Sequence, residues 1–180
     1  LYLVILCFGL GATAQTNDAL SKHFEAYYKQ MKAQGDVQGI INALTRLNLL
    51  KPSEARKDTL AYVYLNEGKF TQALNTIGIA QKSTDSDIAL EVKAVALKAL
   101  GDLNKSIPFF KAMHDKSPNA PVAYEIAEIY LNLNNLTEAK KYIDLGLATV
   151  KDTQGKTFYE TQQPYAVPLK AGLYYLDALV

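Results

Sequence analysis

The sequence predicts an all-α protein, an α-solenoid of helix–turn–helix units, and three features carry that prediction. The stretch YLNEGKFTQAL at residues 64–74 has counterparts MKAQGDVQGII at 31–41, LKALGDLNKSI at 97–107 and YLNLNNLTEAK at 130–140. Its turn position falls on Gly35, Gly68, Gly101 and Asn134, at a constant interval of 33 residues. Glycine, and asparagine as its usual substitute, reach left-handed backbone angles cheaply, which is what the C-terminus of a helix demands. A fixed period of this length is the mark of stacked structural repeats. Second, apolar residues on either side of each turn recur at three- and four-residue spacing, the helical period. Third, small and large residues keep to separate columns. Tyr28, Ala61, Ala94 and Ala127 occupy one column, small in three copies of four, and Met31, Tyr64, Leu97 and Tyr130 the next. Ile40, Ala73, Ser106 and Ala139 open the second helices, again small in three, and Leu44, Ile77, Phe110 and Ile143 follow as their packing column. Small residues let helices approach, and the large column fills the space between them.

The first residues, LYLVILCFGLGATAQ, are an apolar run ending in Ala12-Thr13-Ala14. This is the apolar region and small-residue cleavage box of a secretory signal peptide over residues 1–14, lacking a basic start. Gly9, Gly11 and Thr13 suit the interior of a stable buried helix poorly. Cys7, the one cysteine in the chain, lies inside this run. Processing after Ala14 therefore leaves no thiol for a disulfide, a metal site or a nucleophile.

Four repeats are expected to follow, at about 21–53, 54–86, 87–119 and 120–153. In the second copy Leu60, Tyr64 and Leu65 mark the first helix, and Ala73, Leu74, Ile77 and Ala80 the second. Thr71, Asn104 and Thr137 precede the second helices as expected N-caps, and Asn119 is placed to cap the helix after Pro118. Pro52 and Pro118 lie between repeats, where a helix must end. Residues 154–165, QGKTFYETQQPY, break the period and read as a connector, with Gly155 and Pro164 as punctuation. The segment LKAGLYYLDALV that follows Pro168 is expected to be either the first helix of a further repeat or a cap folded back onto repeat four. The chain begins without Met and ends without a helix stop signal, so it is expected to be a fragment of a longer protein.

These columns resemble those of the tetratricopeptide repeat, over about residues 18–153. The leading Trp of that family is replaced by Phe24, Lys57, Leu90 and Ala123, and the period is 33 rather than the family's 34. Ankyrin repeats share the 33-residue period, but their T-P-L-H-x-A segment does not occur here. The resemblance, combined with the leader, is to an exported bacterial member in the periplasm or cell envelope.

Little in the sequence suggests chemistry. Charges are balanced, with 19 Lys+Arg against 18 Asp+Glu, so the basic footprint of a nucleic-acid binder is missing. His23 and His114 lie in different repeats without metal-pair spacing and read as ordinary helix-surface residues. Ser83-Thr84-Asp85-Ser86-Asp87 lacks the glycine and the closing glutamate of a calcium loop, and reads as a loop that caps the helix at Ile88. There is no phosphate-cradling glycine motif after residue 14. No catalytic residue, metal ligand or cofactor is expected, and the chain reads as a non-enzyme.

The resemblance implies a function through partners. In the family, the first helices of successive repeats line a concave groove that receives a protein or peptide segment. Carried over, the groove-facing residues are Lys29, Tyr62, Leu65, Asn66, Lys98, Tyr124, Glu128 and Asn132. Asn66 and Asn132 offer both donor and acceptor to a peptide backbone, and Tyr62 and Tyr124 are the expected anchors. The family's clamp for two carboxylates does not carry over, because Glu25, Asp58 and Glu91 stand where it needs cations. The sequence therefore predicts an interaction scaffold. The alternatives are the extracytoplasmic sensor segment of a larger membrane signalling protein, or the non-catalytic arm of an envelope enzyme.

Overall fold

The structure is a computed structural model that describes residues 2–158 and 164–180, with side chains described for 17–157 and 164–180. It is an all-α solenoid of paired helices with, among the described residues, a small two-stranded antiparallel sheet, and it divides into two compact units, Leu1–Ala80 and Gln81–Val180.

The first unit contains α1 (Tyr2–Gln34), α2 (Val37–Leu50), α3 (Glu54–Asn66) and α4 (Phe70–Ile77). The backbone of the expected leader is the start of α1, and Gly9, Gly11 and Thr13 do not interrupt it, since propensity is a weak constraint on a long helix. The leader's side chains lie outside the described residues. α1 packs on α2, α2 on α3 and α3 on α4. Ile41, Leu44 and Leu60 form the centre of this unit, with Tyr28, Val37, Ile40, Val63 and Tyr64 packed around them. Ala61 and Ala73 are fully buried where their helices touch.

The second unit contains α5 (Asp87–Ala99), α6 (Leu103–Lys116), α7 (Ala120–Asn132) and α8 (Leu136–Thr149). These are followed by β1 (Gly155–Phe158), β2 (Tyr165–Pro168) and α9 (Leu169–Asp177). α5 pairs with α6 and α7 with α8, while α6 packs on α7. Ala94, Ala127, Ala139 and Ile143 are at 0% exposure, as the small and large columns require. α9 lies on α7 and α8, burying Leu169, Leu173 and Leu176. That is the place either a further repeat's first helix or a cap would take. Two glycines allow the close approach. A Cβ on Gly172 would stand 3.1 Å from Cε2 of Tyr124, and one on Gly146 would stand 2.8 Å from Cδ2 of Leu173.

The periodic turns are the same structure four times. Gly35, Gly68, Gly101 and Asn134 have φ of 70°, 67°, 82° and 55°. After each, the next residue's N–H donates back to the carbonyl five residues earlier: Asp36 to Met31, Lys69 to Tyr64, Asp102 to Leu97 and Asn135 to Tyr130, at 2.8–3.0 Å. This is the Schellman closure of a helix end. Its acceptors are the residues of the large column, so each ties the turn to the core it helps to fill.

Several expectations are corrected. The second helix of repeat two ends at Ile77, because Gly78 adopts φ 77°, and Ala80 therefore lies outside it. Thr71, Asn104 and Thr137 sit inside the first turns rather than at the caps, which fall two residues earlier at Lys69, Asp102 and Asn135. Asn135 accepts from the N–H of Glu138, and Asp36 does the same for Gly39. Asn119 caps as expected, accepting from Val122, and of the Asp and Ser residues in the loop before Ile88 it is Ser86 that caps, accepting from Ala89. The described part of the expected connector supplies β1, which pairs antiparallel with β2, Lys156 opposite Val167 and Thr157 opposite Ala166. Four-residue strands are too short to show an alternating pattern in sequence; residues 159–163 lie outside the described ones. His114 is not a surface residue. It is 6% exposed and meets Tyr142 edge-on at 5.7 Å.

Candidate binding surface

In the first unit, one side of α3 carries exposed Ala55, half-buried Thr59, and exposed Tyr62 and Asn66, residues three or four apart. The beginning of that stripe forms one wall of a cleft of about 390 Å³. Glu25 and Lys29 of α1 line it opposite Ala55 and Thr59, and Leu44 and Leu47 of α2 contribute to its lining. Arg56, also on the α3 side, donates to the carbonyls of Leu47 and Lys51 and so ties α3 to the end of α2. Tyr62 is 37% exposed, and Lys29 of α1 and Asn66 of α3 are exposed as well. Leu65 is corrected: at 8% exposure it faces the core and cannot touch a ligand.

In the second unit, the corresponding positions are used internally. Tyr124, expected as an anchor, is 1% exposed. Its ring lies beneath the Nζ of Lys156 of β1, 4.5 Å from the centroid, and against Gly172 of α9. Lys98 of α5 donates to Glu125 of α7 at 2.5 Å and also to Glu128, while Lys156 donates to Glu125 at 2.5 Å. Two cations and two carboxylates, each 22–27% exposed, thus join α5, α7 and β1. Burial pushes the Glu125 carboxyl up, but the ammonium groups of Lys98 and Lys156 outweigh it and hold it below 4.5. Burial likewise pulls Lys98 down, and its two carboxylates more than reverse that. Lys98 and Glu128 were expected to meet a partner; in this structure they meet each other. Asn132 remains exposed at the end of α7. The pairing of β1 with β2 brings Lys156 to this place, and the sequence offered no sign of it.

A second cleft in the first unit was not foreseen. It measures about 740 Å³ and follows α2 from Gln38 to Leu49, with His23, Phe24 and Tyr27 of α1 and Tyr64 of α3 completing its walls. The sign available in sequence was the stripe Gln38, Ile41, Asn42, Thr45, Arg46, Leu49, which has helical spacing but mixed polarity. Among the described residues, no three His, Cys, Asp or Glu side chains are grouped so as to hold a metal ion.

Known proteins agree with the architecture. Residues 120–148, covering α7 and most of α8, match the model of a tetratricopeptide repeat. A tetratricopeptide repeat protein from Parabacteroides merdae ATCC 43184 is similar in structure, with a TM-score of 0.68 and 18% identity, over 88% of this chain and 59% of that one. This chain thus spans about three fifths of that protein's length. MamA protein is similar with a TM-score of 0.58 and 14% identity, over 71% of this chain and 72% of its own. No curated protein matches the sequence. Residues 120–148 thus match a tetratricopeptide repeat, the same turn recurs at 33-residue intervals before it, and the chain has the fold of these tetratricopeptide-repeat solenoids.

Proposed function

We propose that this protein is an exported interaction scaffold that holds a segment of a partner protein along the first helices of its first two repeats. Tetratricopeptide repeats generally mediate protein–protein contacts, and a preformed surface lowers the ordering cost of the segment it receives. The observation that carries the reading is the stripe of Tyr62 and Asn66 on α3, continuous with the cleft beside Glu25 and Lys29. Among the described residues, the polar ends of Lys29, Tyr62 and Asn66 have no internal partner, so they are free to bind. Tyrosine supplies area with a polar tip, and asparagine can pair with both sides of a peptide backbone.

The test is capture of partners from a cell-envelope extract by the full chain and by a Tyr62→Ala, Asn66→Ala double variant. Loss of the captured protein with unchanged far-UV circular dichroism supports this surface, and undiminished capture overturns it. Export is tested separately by the N-terminal sequence of the protein recovered from cells. The run ending at Ala12-Thr13-Ala14 predicts a mature chain beginning at Gln15. An unprocessed chain retained in the cytoplasm would refute that part.

A further inference from the structure

We propose that the 740 Å³ cleft along α2 is a second, independent docking site, and that its occupant is an amphipathic helix with a carboxylate side chain bordering its apolar face. Its volume falls in the range of true binding clefts, roughly 300–1,000 Å³. Its walls are mixed: Phe24, Tyr27, Tyr64, Leu49 and the largely buried Ile41 supply the apolar part, and Gln38, Asn42, Thr45, His23 and Arg46 the polar part. Leu49 is 72% exposed, so a large apolar group already stands in water at one end.

The chemistry of the lining selects the charge of the occupant. Arg46 projects from the middle of the α2 stripe, and the lining contains no Asp or Glu. Arg46 is exposed, and among the described residues it has no carboxylate partner. His23, the other basic group in the lining, meets Phe24 edge-on at 5.4 Å. A guanidinium beside apolar walls is suited to bind a carboxylate with two parallel hydrogen bonds.

The geometry selects a helix. The lining residues of α2 are spaced three and four apart over three turns, about 16 Å of axis, and form a ridge of the kind a second helix packs against. The side chains of α1 and Tyr64 flank that ridge, so the occupant lies in a trough and presents apolar residues at helical spacing.

The test uses the full chain and a fluorescein-labelled 14-residue peptide, N-acetylated and C-amidated. The peptide carries Leu along one helical face and a single Glu at the border of that face. A control peptide replaces the Glu by Lys. Fluorescence anisotropy should show the Glu peptide binding at least about tenfold more tightly than the Lys peptide. Arg46→Glu should reverse that order, and Leu49→Gln should weaken both peptides. The Tyr62→Ala, Asn66→Ala variant should bind the Glu peptide as the parent chain does, which separates this site from the surface proposed above. Equal affinity for the two peptides, or no binding of either, overturns the proposal. So does a concentration-dependent dimer of the chain itself that Arg46→Glu dissociates, because the cleft would then belong to a second copy.

Discussion

Glu125 offers the sharpest test of how the second unit is held together. Its carboxylate accepts from Lys98 and Lys156 at 2.5 Å each and thereby joins α5, α7 and β1. Breaking a fully buried ion pair by removing one partner costs ~3–5 kcal/mol, while a fully exposed pair contributes ~0.2–1 kcal/mol. The Glu125 side chain is 26% exposed, which places it between those limits. Glutamine keeps the shape and one acceptor oxygen, so Glu125→Gln should lose about 2 kcal/mol at pH 7. The pH dependence follows from the sign of the shift. A carboxyl held below 4.5 when folded stabilises the protein above that pH and loses its contribution as pH falls through the lower, folded value. The gap between parent and variant should therefore be constant from about pH 5.5 to neutrality and close progressively below about pH 4.5. Urea unfolding of the full chain, followed by far-UV circular dichroism at several pH values, measures it. A loss under about 0.5 kcal/mol at pH 7, or one that persists undiminished in acid, would refute the reasoning.

Three further outcomes are expected. Asp85 receives both of its short contacts at 2.7 Å from Lys93, whose side chain is 0% exposed, so Asp85→Ala leaves a buried ammonium without its carboxylate and should cost ~3–5 kcal/mol in urea unfolding. A Cβ on Gly101 would meet nothing within 4 Å, so Gly101→Ala isolates backbone strain at φ +82° and should cost ~1–2 kcal/mol by the same measurement. Tyr124→Ala should destabilise by ~3–5 kcal/mol, as truncation of a large buried side chain does, whereas Tyr62→Ala should stay within about 1 kcal/mol of the parent; thermal melts of the two variants distinguish a core residue from a surface one.

The repeat was legible because it is local physics repeated. Each of Gly35, Gly68, Gly101 and Asn134 needs a left-handed angle, and each helix pair needs a small residue where its backbones approach. Such requirements fall on single positions and recur every 33 residues, so they can be read without knowing what lies across from them. The candidate surface was legible only where a column keeps its exposure. Tyr62 and Asn66 do, while Leu65 turns inward and Tyr124 is covered from outside its repeat.

By itself, then, the sequence determined the helix–turn–helix units, their turns, their alanine contacts and the cap at Asn119. Tertiary structure alone decided that residues 155–158 pair with 165–168 as antiparallel strands and that Lys156 lies over Tyr124. It also decided that Lys98 and Glu128 pair with one another, and that a cleft opens along α2. The physical reason is range. A turn or a cap is settled within about six residues of chain, by backbone angles and hydrogen bonds to near neighbours. A groove position stays open or becomes filled according to which distant segment comes to lie against it. Lys156 reaches Glu125 across 31 residues and Lys98 reaches Glu128 across 30, separations at which no pattern in the chain marks the partners.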